Sequence, residues 1–346
     1  MYKIDEYKVN YEFPEISFPG FNQYLKDLYK NSINKYMNSV AKESNSTEQQ
    51  RDIQKIKSFV RATEDYVLEL CRSGFINIHN MQNIVTTIKK IKAITPLSKN
   101  ERGIYGITNQ ADNTIEINPT LNDFRTQIYV GHELGHYLHD CWIEDVITYL
   151  QSLDKNPNIA DLIKSNPGMA RQLIYDGFRL LDEATVQETA EMVAYQKYYK
   201  KRPELAYHSN YRIFSGEPYK TNFDYYGELH EPAILFGRTL QGIGKTPQTP
   251  DEKIMKELAK KSFSSDFATS IIEEYRENPE LEKDFITTMV QLGRIKDASY
   301  GLFGHGRYSN SQSLSKKCLD NTKALSHKNE DYLPKVQKCK RGDNYL

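Results

Sequence analysis

The chain has little of what marks several common protein classes. It carries four cysteines in 346 residues, and no two stand at Cys-x-x-Cys spacing. That excludes a disulfide-built scaffold and a cysteine-ligated zinc module. Reduced thiols in a cytosol-like compartment are the expectation. Charge of one sign is not in excess either, because Lys plus Arg and Asp plus Glu both total 46. A strongly basic nucleic-acid binder and a polyacidic disordered chain are thereby excluded. No apolar run approaches the roughly 18 residues that would cross a bilayer. The opening MYKIDEYKVNYEF has no basic stretch leading into an apolar one, so no secretory signal is expected and the expected location is cytoplasmic. Gly-x-Gly-x-x-Gly and Gly-x-Ser-x-Gly are missing. IGKT at 243–246 lacks the first glycine of a phosphate loop.

What remains is an ordinary globular composition, 38% apolar and 27% charged. The length allows a sizeable core and roughly two domains. Residues 1–20, with two prolines and scattered aromatics, read as a segment draped over the body. Phe21, Leu25, Leu28 and Ile33 predict a helix over about 21–40. Ile53, Ile56, Val60, Tyr66 and Leu70 predict a second over 47–72, and a third is expected near 78–93, broken by Pro96 and Ser98. GIYGIT and NTIEIN, joined by the polar NQADN, predict two strands of a small sheet. Thr120 and Asp123 stand at capping-box spacing before a helix expected to reach about His139. Asn166 and Pro167 open another, running to about Tyr199. Further helices are expected at 229–242, 251–262 and 266–295, with a loop-like stretch over 200–227.

Chemistry concentrates in GHELGHYLHD, residues 131–140, which contains His132-Glu133-x-x-His136. On a helix, positions i and i+4 differ by about 40°, so both imidazoles face one side and can share a metal ion. Glu133, next to His132, is badly placed to ligate the same ion but well placed to take a proton from a water held there. The rival reading is a solvated polar helix face that happens to carry two histidines.

Zinc requires a third protein ligand and an open position for water. The longer HExxHxxGxxH pattern does not apply, because His139 stands at its glycine and Trp142 at its third histidine. His139, seven residues along the helix, would lie about 10 Å from His132, and is read as a rim residue supporting the site. The segment LLDEATVQETAEMVAY, 180–195, offers Asp182, Glu183, Glu188 and Glu191. Glu183 is favoured, with Glu188 its main rival, because a carboxylate in the most apolar part of this helix is costly unless paired or metal-bound.

In these residues the chain resembles the gluzincin, or thermolysin-like, zinc metallopeptidases. The resemblance rests on His132, Glu133 and His136, on the preceding NTIEIN strand, and on LDEATVQ, which is similar to the downstream glutamate helix of that class. It covers about 103–200. Where many members place an acid that orients a histidine, this chain has Gln187. HELGHYLHD also resembles the small phage-repressor-cleaving metallopeptidases of the ImmA/IrrE type.

The resemblance implies one Zn2+ per chain on His132, His136 and Glu183, with Glu133 as general base for peptide hydrolysis. The oxyanion needs a donor, for which His230 and Tyr226 are candidates, with His208, Tyr211 and His305 competing. The NTIEIN strand would pair with an extended substrate. The expected fold is α+β and mostly helical: a helical N-terminal region over 1–101, a zincin-like metallopeptidase domain with a small sheet over 102–306, and a weakly ordered basic tail over 307–346. The expected partner is a peptide or protein substrate, without nucleic acid or membrane span. Two alternatives stay open: a regulatory or effector protease that cuts one partner protein, and a non-catalytic module stabilised by zinc.

Overall fold

The computed structural model describes residues 20–40, 46–72, 78–97, 104–139, 141–153 and 167–198, with scattered positions between 257 and 293. The chain divides into two compact units, Met1–Leu138 with Thr189–Ser209, and His139–Glu188 with Asn210–Leu346. Among the described residues the architecture is mostly helical with one small mixed sheet, of the α+β kind. Among the described residues no helix is long and apolar enough to cross a membrane.

The first unit opens with α1 (Phe21–Ser39) and α2 (Ser46–Arg72). Phe21, Leu25, Leu28 and Ile33 form the inner stripe of α1. On α2 the stripe is Ile56, Phe59, Val60, Tyr66, Val67 and Leu70, all buried. Each such side chain, fully withdrawn from water, contributes about 1.5–3 kcal/mol. This stripe is why two sequences rich in Lys, Glu and Gln hold together as helices. α3 (Ile78–Ile88) follows and packs on α2.

The chain then enters a sheet made of β1 (Ala93–Pro96), β2 (Gly106–Asn109) and β3 (Thr114–Ile117). The order is β1-β3-β2, with β1 parallel and β2 antiparallel to β3. The β2–β3 hairpin is the one its sequence predicts. Asn113 takes a left-handed backbone, φ 55°, at the turn, a conformation that asparagine tolerates.

Two expectations need correction here. The third helix stops at Ile88 instead of running to 93, because the buried run Ala93–Pro96 pairs with β3 as a strand. In consequence NTIEIN has a neighbour on both sides and offers no free edge to a substrate. The outer strands are β1 and β2. The outward N–H of Ile94 on β1 donates to the buried hydroxyl of Ser32, 2.8 Å away on α1. The hydroxyl in turn donates to Leu28 O at 2.6 Å. β2 alternates between half-buried and exposed positions along its length.

α4 (Asp123–Leu138) completes the sequence-continuous part of this unit, packing on α2, α3, β2 and β3. Its cap is Asn122, whose Oδ1 accepts from Arg125 N at 2.9 Å. The anticipated Thr120–Asp123 box does not form, because Thr120 turns its hydroxyl to Asn118 Oδ1 at 2.7 Å and the first helical bond closes on Asn122 O. The long helix α6 (Pro167–Tyr198) is continuous, and its residues from Thr189 onward belong to this unit. Lys197 near its end pairs with Asp65, and Phe124 meets Tyr198 edge to face at 5.8 Å.

The second unit contains α5 (Cys141–Ser152) and the earlier turns of α6. Phe178 packs on Phe285, and Asp145 accepts from the Thr269 hydroxyl at 2.7 Å. Gly177 and Gly293 let α6 and the 289–293 region approach so closely that a Cβ on either would strike the other's backbone carbonyl. The expected helices at 251–262 and 266–295 are described only at scattered helical positions. Residues 1–19, the 200–227 stretch, the 229–242 helix and the 307–346 tail lie outside the described residues.

Candidate metal centre

α4 presents two adjacent stripes. Tyr129, Glu133 and Tyr137, spaced i, i+4, i+8, lie against β2. The Tyr129 ring stacks on Tyr105 at 4.6 Å, Glu133 Oε2 accepts from the Thr108 hydroxyl at 2.6 Å, and the Tyr137 hydroxyl donates to Asn109 O at 3.2 Å. His132 and His136 occupy the neighbouring stripe. Helical spacing alone produces this division, since i+3 and i+4 neighbours line up in rows. α4 sits close to its support at Gly131, where an added Cβ would come within 2.8 Å of the Tyr66 ring and 3.3 Å of Ala190 on α6.

The two imidazoles converge through the same atom. Nε2 of His132 and Nε2 of His136 are 3.1 Å apart, with ring centroids 4.7 Å apart and planes at 88°. His132 is 3% exposed and Glu133 6%, while His136 is half-buried, so the first two do not lie on a solvated face. Among the described residues one group has the donors and spacing to hold a metal ion. It comprises His132, His136 and Glu183, whose ligand atoms all lie within 4.8 Å of one another. Glu133 is not a member of that group.

The donor set fits zinc. A tetrahedral ion with Zn–N bonds of about 2.0–2.1 Å separates two ligand nitrogens by about 3.3 Å, close to the observed spacing of the rings. Two neutral imidazoles facing each other in this way share one proton between two lone pairs. A cation could take the proton's place if each ring carried its hydrogen on Nδ1. Two histidines and a carboxylate are also a ligand set that leaves a tetrahedral position open.

His139 is outside the ligand group; its Nδ1 lies 2.7 Å from Oδ1 of Asp182, the residue before Glu183. Its ring also packs on Phe263 at 5.4 Å. Gln187, one turn beyond Glu183, is buried. The side chain of Glu188, the rival ligand, lies outside the described residues, as do Tyr226, His230, His208, Tyr211 and His305. Cys71 does not compete as a nucleophile: burial pushes its thiol up to about 11, so it stays protonated at neutral pH. Burial likewise raises the Tyr66 hydroxyl well above the usual tyrosine value.

Sequence reasoning passes over Thr108 and Gly106. The available signal is the alternation of β2, which places both on one face, opposite Ile107 and Asn109. No protein-family model, curated protein or solved structure matches the chain.

Proposed function

We propose that the chain is a zinc-dependent metallopeptidase of gluzincin type, with His132, His136 and Glu183 as ligands to one ion and Glu133 as general base. The observation that carries this reading is the meeting of the two Nε2 atoms at 3.1 Å, with a Glu183 carboxylate oxygen in the same group. A buried glutamate beside the pair but outside the group supports a hydrolytic role, since a purely structural site has no use for it.

Bound by His132, His136 and Glu183, zinc would supply an acidified water and a Lewis acid for the scissile carbonyl. Glu133 takes a proton from the attacking water and delivers it to the leaving amine nitrogen, which needs an unprotonated carboxylate at the start of each cycle. His132 and His136 remain neutral throughout, each with its hydrogen on Nδ1 so that Nε2 keeps its lone pair. The burial of His132 and Glu133 keeps bulk water from competing for the transferred proton.

The test combines metal content with turnover. The purified 346-residue chain is expected to carry one zinc and to cleave members of a diverse peptide library. Glu133→Gln keeps the zinc and loses about 10²–10⁴-fold in kcat. Absence of stoichiometric zinc, or undiminished hydrolysis by the variant, overturns the proposal. Zinc without cleavage of any peptide or protein returns the site to a structural role. Cleavage of a single protein in a proteome, with casein untouched, identifies a partner-specific protease.

A further inference from the structure

We propose that Thr108 is the positioning residue for Glu133, and that with Gly106 it fixes which carboxylate oxygen receives the proton. The inference rests on the peptidase reading and adds residues from a strand that the metal motif does not include. The Thr108 hydroxyl donates to Glu133 Oε2 at 2.6 Å, the short spacing of a charge-assisted bond. A carboxylate as buried as Glu133 is costly without such a donor. Gly106, two residues earlier on the same face of β2, leaves the space into which the carboxylate fits. A Cβ there would lie 2.5 Å from Oε1, 2.9 Å from Cγ and 3.0 Å from Cδ.

The strand itself is anchored on both sides of this contact. Tyr105 stacks on Tyr129 before it, and Asn109 O accepts from Tyr137 after it. Thr108 is therefore held to the same helix that carries the glutamate, and one hydrogen bond sets the side chain's rotation. Oε2 is occupied by the Thr108 proton, so Oε1 is the oxygen that takes the proton from water and returns it to the amine. Thr108 keeps its own proton through the cycle. It acts only by orientation, so its loss falls on kcat and leaves zinc binding and substrate affinity in place.

The experiment compares the zinc-loaded wild-type chain with T108V, T108S and G106A. Peptide hydrolysis and zinc stoichiometry are measured, together with the dissociation constant of acetohydroxamic acid, a zinc chelator with a hydroxyl that would donate a hydrogen bond to a correctly oriented Glu133. T108V is expected to lose about 10–100-fold in kcat at constant KM and constant zinc, the scale on which misplaced catalytic groups act. Acetohydroxamate binding weakens about tenfold in the same variant. T108S retains a hydroxyl and recovers both within about threefold, while G106A displaces the carboxylate and loses kcat.

Three kinetic outcomes overturn the inference: T108V that matches wild type, T108S that falls as far as T108V, or a loss carried wholly by KM. Should T108V fail to fold, T108S and G106A decide alone. A wild-type chain that takes up no zinc defeats the proposed function itself. With zinc bound and no substrate found, equal acetohydroxamate affinities in wild type and T108V still defeat this inference alone.

Discussion

Tyr66 on α2 fills the space beside Gly131 on α4, with its ring where a Cβ on residue 131 would come within 2.8 Å. The residue before the first histidine thus has no room for any side chain, and the metal-motif helix rests directly on a fully buried aromatic ring. Gly131→Ala is expected to lower stability by about 1–3 kcal/mol, the usual cost of overpacking a core. Urea unfolding checks it, and an unchanged midpoint would show that Tyr66 yields freely.

The Tyr66 hydroxyl has no hydrogen-bond partner among the described residues, and burial holds its pKa above that of an unfolded tyrosine. Tyr24, half-buried, is raised in the same direction, first by desolvation of its hydroxyl and then by Tyr137. A raised folded-state value gives stability that is intact below the unfolded pKa and lost as pH climbs toward the folded one. Above about pH 10 the unfolded chain gives up protons that the folded chain keeps. Stability is therefore expected to fall from about pH 10 upward. Tyr66→Phe should be neutral or slightly stabilising at pH 7 and should make that alkaline decline shallower, as read by melting temperature against pH.

Metal removal should be visible without any substrate. A chelator is expected to lower the melting temperature, and added zinc to restore it, because an ion that binds only the folded state stabilises by mass action. His132→Ala and His136→Ala should each abolish stoichiometric zinc and the chelator effect. Glu183→Ala should weaken zinc binding where Glu188→Ala does not; the reverse pattern would transfer the ligand role.

Ser32 bridges α1 and β1 by accepting from Ile94 N and donating to Leu28 O. Ser32→Ala leaves a buried strand N–H without that acceptor and is expected to cost about 1–3 kcal/mol. Denaturant unfolding measures it, and a cost near zero would mean that another acceptor moves in.

Much of this could be read from local pattern. The inner stripe of α1, the β2–β3 hairpin and the convergence of His132 with His136 all follow from periodicity, which acts over a few residues. What escaped depended on contacts distant in sequence. Ala93–Pro96 is four apolar or small residues ending in proline, and only pairing with Thr114–Ile117 makes it a strand. Thr120 and Asn122 are both good capping residues. Asn118 holds the Thr120 hydroxyl, which leaves Asn122 as the cap. On the helix bearing Glu183, the neighbours Leu180 and Leu181 are fully buried, and their apolar character sets that acid apart in the sequence. Nothing near Thr108 in sequence announces that its side of β2 lands on α4, because that depends on how a hairpin docks on a helix formed later in the chain.

The unequal treatment of the two outer strands has a practical side. β1 has its outward N–H taken up by a serine from α1, whereas β2 carries Ile107, 41% exposed, along a rim that no other described strand covers. Strand rims with bare apolar groups invite self-association in concentrated solution. Ile107→Lys puts a charge on that rim and faces away from Thr108, so it is the change to make before concentrating the protein for crystals.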